Sequence, residues 1–174
     1  AEQIKRVSME LGGNAPVILF EDCDIEASIR AVAALKYLNA GQACIGANRI
    51  YVHDSIYDEV AEGLEKLATA MKVGDGTADG VRMGPLVDFK AVEKVEELVA
   101  DAVKCGAQIR VGGCRMQGPD YENGSFYAPT VLTDVPASAR LNREEIFGPV
   151  AALYRFTAED EVLALANGVE YGCN

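Results

Sequence analysis

Three short stretches carry the residue types from which covalent carbonyl chemistry can be assembled. In NAGQACIGANR, residues 39–49, one cysteine, Cys44, stands among small residues just ahead of an apolar run. A thiolate is a strong nucleophile, and near neutral pH it needs a lowered pKa or a neighbouring base. The chain's one histidine, His53, lies nine residues further on inside the apolar run. It is expected there as a half-exposed strand residue rather than as a base for Cys44. Carboxylates remain. Glu10, in MELGGNAP, sits between an apolar residue and a glycine pair just ahead of a second apolar run. A carboxylate held near an apolar strand has its pKa raised, which suits a general base. In REEIFGPV, residues 143–150, a Phe-Gly-Pro turn entering a strand puts Glu145 and Phe147 two apart on the same side. A carboxylate there can hold a ribose diol while the aromatic flanks a planar ring. Each stretch also has an ordinary reading. Free cysteine is commonly buried as a small hydrophobe, glutamate is commonly a surface or capping residue, and the third stretch can be a turn with a core phenylalanine.

Composition narrows the setting for this chemistry. At 174 residues, 49% hydrophobic and 25% charged, the chain is a globular domain's worth of sequence. A formal net charge of −11 argues against nucleic acid or an anionic membrane surface as partner. No apolar run approaches the roughly 18 residues that cross a bilayer, and the first residues show no signal-peptide pattern. Five cysteines, at 23, 44, 105, 114 and 173, are odd in number and scattered, without a CxxC pair. They imply neither a disulfide framework nor a zinc site, and a reducing, cytoplasmic location is expected.

The elements that must position the three stretches follow from periodicity. PVILF, residues 16–20, is a continuous apolar run of the kind buried on both faces of a sheet. A helix follows it, N-capped by Asp24, with Ile25, Ile29, Val32, Ala33 and Leu35 near helical spacing. RIYVH is a strand, and residues 54–73 form a helix with Ile56, Val60, Leu64, Leu67 and Met71 on one face. After a glycine-rich loop at 74–85 comes a helix over DFKAVEKVEELVADAVKC, ending at Gly106. The strands QIRVGG, FYAPTVLTDV and PVAALYRF follow, and then a helix capped by Thr157. Strands alternating with long helices predict an α/β fold with a largely parallel sheet flanked by helices.

MELGGNAP, NAGQACIGANRIYV and REEIFGPV, in that order and joined by KVGDG, GPLVD, YAPTVLTDV and ALANGVEYG, resemble the aldehyde dehydrogenase superfamily over essentially the whole chain. The resemblance implies the three-layer α/β catalytic domain of that family over residues 1–174. It implies Cys44 as catalytic nucleophile and Glu10 as general base. Glu145 is then the ligand of the nicotinamide ribose, and Phe147 and Leu11 are further cofactor contacts. NAD or NADP is the implied cofactor, an aldehyde the small-molecule substrate, and a homo-oligomeric parent, dimer or tetramer, the implied assembly. No metal is implied. The chain opens close to SMELGG and stops at YGCN after a helix, which predicts a piece of a longer enzyme. The upstream Rossmann-like cofactor domain and a C-terminal oligomerisation tail would lie outside it, and the piece alone is expected to be inactive.

Within the superfamily the text is most similar to the succinate-semialdehyde dehydrogenase group, with two departures. Leu38 stands six residues before Cys44, where that group commonly has an arginine for the substrate carboxylate. Gly46 stands where some members have a second cysteine, so no local disulfide at Cys44 is expected. Succinic semialdehyde or a related semialdehyde is the implied substrate. A broad-specificity enzyme, a CoA-acylating relative or a non-catalytic domain of the same fold are the alternatives. Glu10 favours hydrolysis over CoA acylation, since acyl transfer to CoA needs no water-activating base.

Overall fold

The computed structural model describes residues 5–171. Its centre is a five-stranded sheet in the order β1-β2-β5-β4-β3, formed by β1 (Pro16–Leu19), β2 (Arg49–His53), β5 (Val150–Phe156), β4 (Thr130–Thr133) and β3 (Gln108–Val111). The pairs β1–β2, β2–β5 and β4–β5 are parallel, and only β3 runs antiparallel, against β4. Four helices flank the sheet: α1 (Ile25–Tyr37), α2 (Tyr57–Ala70), α3 (Phe89–Cys105) and α4 (Glu159–Ala166). The expected α/β fold with a largely parallel sheet flanked by helices is observed, with the antiparallel β3 making the sheet mixed.

Each helix has a local cause. The Asp24 side chain accepts a hydrogen bond from the Ala27 N–H at 3.0 Å and so caps α1, and Asp88 caps α3 in the same way through the Ala91 N–H at 2.8 Å. In α3, Val92, Val95, Leu98, Val99 and Ala102 form one buried face, and the helix stops at Gly106, whose φ of 121° a side chain would disfavour. The helix beginning at residue 54 is in fact one 3-10 turn, Asp54–Ile56, followed by α2. Thr157 is not the cap of α4. Ala158 takes that position, and the Glu161 carboxylate instead accepts from the Thr157 N–H and hydroxyl. Leu35 and Leu67, expected on the apolar faces of α1 and α2, are largely exposed.

PVILF was expected to be buried on both faces. Among its residues only Leu19 is fully buried, because β1 lies at an edge of the sheet and not in its middle. The buried strands are β2, β4 and β5, whose apolar residues pack with the inner faces of the helices into one core.

One buried cation joins this core to the chain that precedes β1. Arg49, the first residue of β2, is fully buried. Its Nε donates to the Asn14 carbonyl at 2.9 Å, Nη1 to the Leu165 carbonyl at 2.9 Å and to the Tyr51 hydroxyl at 3.1 Å, and Nη2 to the Ala166 carbonyl at 2.9 Å. The last two carbonyls belong to the C-terminal turn of α4, where orphaned acceptors and the negative end of the helix dipole favour a cation. Next to it, the Asn48 and Arg49 N–H groups both donate to the Ala15 carbonyl, and the Asn14 amide donates to the Asn142 carbonyl. The described residues ahead of β1, 5–15, have no regular secondary structure, and these bonds fix them. Arg49→Met leaves the Asn14 and Ala166 carbonyls without a donor among the described residues, while the Leu165 carbonyl keeps the Gly168 N–H, and a loss of about 3 kcal/mol is expected in denaturant unfolding. Hydrogen exchange should show the amides of α4 losing protection first, and a variant as stable as the parent would contradict this account.

Candidate active site

The three sequence stretches converge because of strand order. Glu10 and Leu11 precede β1, Cys44 precedes β2, and Glu145 and Phe147 precede β5. These strands are adjacent and mutually parallel, with Pro16 opposite Arg49 and Ile50 opposite Leu153. Parallel neighbours start at the same end of the sheet, so all three entry segments gather there. They line one cavity of about 630 Å³, which contains Glu10, Leu11, Cys44, Glu145 and Phe147 together.

The nucleophile loop is tightly built. Asn39, Ala40 and Gly41 all have positive φ, at 51°, 56° and 74°. This run of left-handed residues turns the chain sharply after α1. The side-chain amide of Asn39 donates to the Gln42 carbonyl and that of Gln42 to the Asn39 carbonyl, while Gln42 Oε1 accepts from the Val87 N–H at 2.8 Å. The Gly46 N–H donates to the Ala43 carbonyl, which sets half-buried Cys44 in the middle of a turn. Among the described residues no acceptor engages the Cys44 N–H, so it is free to serve an anion in the cavity.

The facing loop is built against it. Phe147 is 38% exposed and holds a positive φ of 53°, and Gly148 follows it. A Cβ added at Gly41 would lie 2.0 Å from the Gly148 carbonyl oxygen, so the two loops touch backbone to backbone. Glu145 is half-buried, and its Oε1 is buried without a hydrogen-bond partner among the described residues. Its Oε2 lies against Gly12, where an added Cβ would approach to 2.7 Å. Glu10, by contrast, is exposed, as is Leu11, so the expected apolar surroundings of Glu10 are not found among the described residues.

The cavity also holds residues that sequence reasoning passed over. Gly12 and Gln42 line it beside their neighbours, and Ala91 and Lys94 enter it from the first turns of α3. For Gly12 and Gln42, adjacency to Glu10 and Cys44 was a usable signal. For α3 there was none, since nothing in its helical periodicity points to this end of the sheet. His53 is not brought to Cys44. It ends β2 while Cys44 precedes it, and its ring bonds the Ser55 hydroxyl and packs on Phe156. Leu38 is exposed and lines a different cavity, of about 390 Å³, together with Arg82. Cys23 is a half-buried free thiol, Cys105 and Cys114 are exposed free thiols, and Cys173 lies outside the described residues. No cluster of three or more metal-ligating side chains occurs among the described residues, and no described helix is long and apolar enough to cross a membrane.

Comparison with known proteins gives the family. The model of the aldehyde dehydrogenase family matches residues 1–174. The chain belongs to the aldehyde dehydrogenase family. It is 48% identical over 172 residues to succinate-semialdehyde dehydrogenase [NADP(+)] of Escherichia coli, covering 99% of this chain and 35% of that protein. To 3-sulfolactaldehyde dehydrogenase of Pseudomonas putida it is 49% identical, with the same coverage of each. Among solved structures, an aldehyde dehydrogenase from Brucella melitensis biovar abortus superposes with a TM-score of 0.93 at 44% identity, covering 99% of this chain and 34% of that one. The chain thus spans about a third of the length of the curated relatives it matches.

In this aldehyde dehydrogenase chain the contact between Gly41 and Gly148 has no room to yield, because both partners are backbone. Gly41→Ala adds a methyl to a left-handed residue inside that contact. Chemical denaturation should record a loss of at least about 2 kcal/mol, and the Cys44 thiol should react faster with a maleimide as the loop loosens. Unchanged stability and reactivity would mean that the two loops move independently.

Proposed function

We propose that the protein carrying this chain oxidises an aldehyde to its carboxylic acid through a covalent adduct on Cys44, with NAD+ or NADP+ as electron acceptor. One observation carries the reading above the others: a thiol, an exposed carboxylate and a carboxylate–aromatic pair line a single cavity at one end of the sheet. The names of the relatives support it, since both describe aldehyde dehydrogenases and one specifies NADP(+).

The residues fit a nicotinamide cofactor. Glu145 has a buried oxygen without a partner, and its second oxygen reaches the cavity past a glycine where a side chain would obstruct it. A carboxylate so placed would accept hydrogen bonds from the ribose hydroxyls. Phe147 and Leu11, both exposed apolar side chains, would flank the nicotinamide ring. When bound, NAD(P)+ supplies the acceptor for the hydride that leaves the adduct carbon.

The chain's own groups do the rest. The Cys44 thiolate adds to the aldehyde carbon, and the Cys44 N–H donates to the oxyanion that forms. Loss of hydride re-forms the carbonyl as a thioester on Sγ. Glu10 then takes a proton from water, the hydroxyl adds to the thioester carbon, and the thiolate leaves as the acid is released. A thiolate suits both halves, being a good nucleophile and a good leaving group.

For the aldehyde, succinic semialdehyde or a related semialdehyde is the proposed class. Leu38 cannot pair with a distal carboxylate; Arg82 is the guanidinium lining the separate cavity that holds Leu38, into which the distal end of the substrate would have to extend from Cys44.

Three variants of the full-length protein test these roles. Cys44→Ser should lower kcat by a factor of at least about 1,000. Glu10→Gln should keep a burst of reduced cofactor equal to the enzyme present and then turn over about 100-fold more slowly, because only thioester hydrolysis is impaired. A Glu10→Gln variant with unchanged steady-state rate would assign the base elsewhere. Arg82→Ala should lower kcat/KM for succinic semialdehyde about tenfold and leave a neutral aldehyde of equal length unaffected. Equal losses on both substrates would remove Arg82 from substrate recognition.

A further inference from the structure

Lys36 lies in the last turn of α1 and is fully buried. Lysine is almost never found without solvent unless something compensates its charge. Its Nζ has one hydrogen-bond partner among the described residues, Asn48 Oδ1 at 2.8 Å. Asn48 is itself fully buried and reaches towards the Gly13 carbonyl, at 3.5 Å. Gly13 adjoins Gly12, on which Glu145 Oε2 rests. Among the described residues, the charged group whose field acts on Lys36 is Glu145. Its hydrogen-bond partner, the Asn48 amide just ahead of β2, is neutral. Glu145, in turn, keeps one buried oxygen without any partner. A buried lysine and a buried carboxylate oxygen without a partner among the described residues are thus linked through Asn48 and the Gly12–Gly13 segment, and the carboxylate acts on the lysine electrostatically.

We propose that Lys36 is the positioning residue for Glu145, acting as the buried counter-charge that holds this carboxylate in place when a cofactor ribose covers it. The inference rests on the reading of Glu145 as a ribose ligand. Burying a carboxylate beneath a ligand removes its remaining solvent, and a nearby cation offsets that loss. Burial holds the Lys36 ammonium well below its ordinary value, at about 7, while Glu145 pulls in the opposite direction. The charge of Lys36 therefore changes in the neutral range. Linkage fixes the sign. If the protonated lysine favours cofactor binding, cofactor binding must favour the protonated lysine, so binding near neutral pH takes up a proton from the buffer.

Titration calorimetry of the full-length protein with NAD+ or NADP+, in buffers of different ionisation enthalpy between pH 6 and 8.5, reads this directly and needs no turnover. The parent protein should take up a fraction of a proton on binding near pH 7.5, and its Kd should weaken on the order of tenfold from pH 6 to 8.5. Lys36→Met should abolish the uptake and flatten the Kd profile at the weaker value. In a Glu145→Gln background, Lys36→Met should have no further effect on Kd, because the lysine then has nothing to act on. A Lys36→Met protein with the parent's uptake and profile overturns the proposal, as does additivity of the two substitutions. If Lys36→Met fails to fold, the comparison of the parent with Glu145→Gln decides: uptake that survives Glu145→Gln overturns it. A Glu145→Gln protein that binds cofactor as the parent does instead removes the ribose reading itself, and the two failures are distinguishable.

Discussion

The site depends on where one buried guanidinium can find acceptors. Arg49 starts β2, so its backbone is fixed by the ladders to β1 and β5, while its side chain must satisfy its donors away from water. It does so with carbonyls from the segment before β1 and from the end of α4. Two of those carbonyls have no other donor among the described residues: Asn14 in irregular chain and Ala166 at a helix terminus. A single cation therefore satisfies groups of two segments and ties both to the middle of the sheet. The segment that carries Glu10 and Gly12 has no ladder of its own among the described residues, and without this anchor its approach to Glu145 would not be defined.

Parallel pairing then converts strand order into a site. In open parallel sheets ligands usually gather at the carboxyl ends of the strands. Here the residues of interest precede their strands, and so they collect at the amino ends of β1, β2 and β5. Backbone geometry finishes the arrangement. The left-handed run at 39–41 and the positive φ of Phe147 are unfavourable for side-chain-bearing residues, and they occur on the two loops that touch through Gly41 and Gly148. Strain concentrated on two facing loops, and held by contacts on either side, is a pattern associated with functional sites.

Much of this was legible in the residues, for reasons that differ from element to element. The face of α3 and the capping of α1 by Asp24 follow from local rules, and local rules sufficed. The edge position of β1 was not legible, because PVILF is equally apolar whether it has one neighbour or two; only the strand order decides that. Cys44, Glu10, Glu145 and Phe147 were each ordinary by spacing alone and became a set through motif resemblance and the start of each strand. Their convergence is a property of the sheet and not of any one stretch. The entry of α3 through Ala91 and Lys94 had no local signature at all.

Lys36 shows a different kind of miss. A lysine in the last turn of a helix reads as a solvated residue near the negative end of the helix dipole. Yet it falls three and four residues after Ala33 and Val32, which are both buried, so the same periodicity that defines the apolar face of α1 includes it. The charge argued for solvent and the spacing argued for the core, and the spacing prevailed. Keeping an ammonium there opposes folding whenever it is protonated. The unfolded chain holds that proton up to the ordinary lysine range, while the folded chain releases it near 7, so this opposition is full below about 7 and fades as pH rises from there to the ordinary lysine range. An apolar side chain of similar length would avoid it altogether. Stability therefore does not account for lysine at this position, whereas the carboxylate behind the cavity, with its unpartnered oxygen, supplies a reason for a cation to be there.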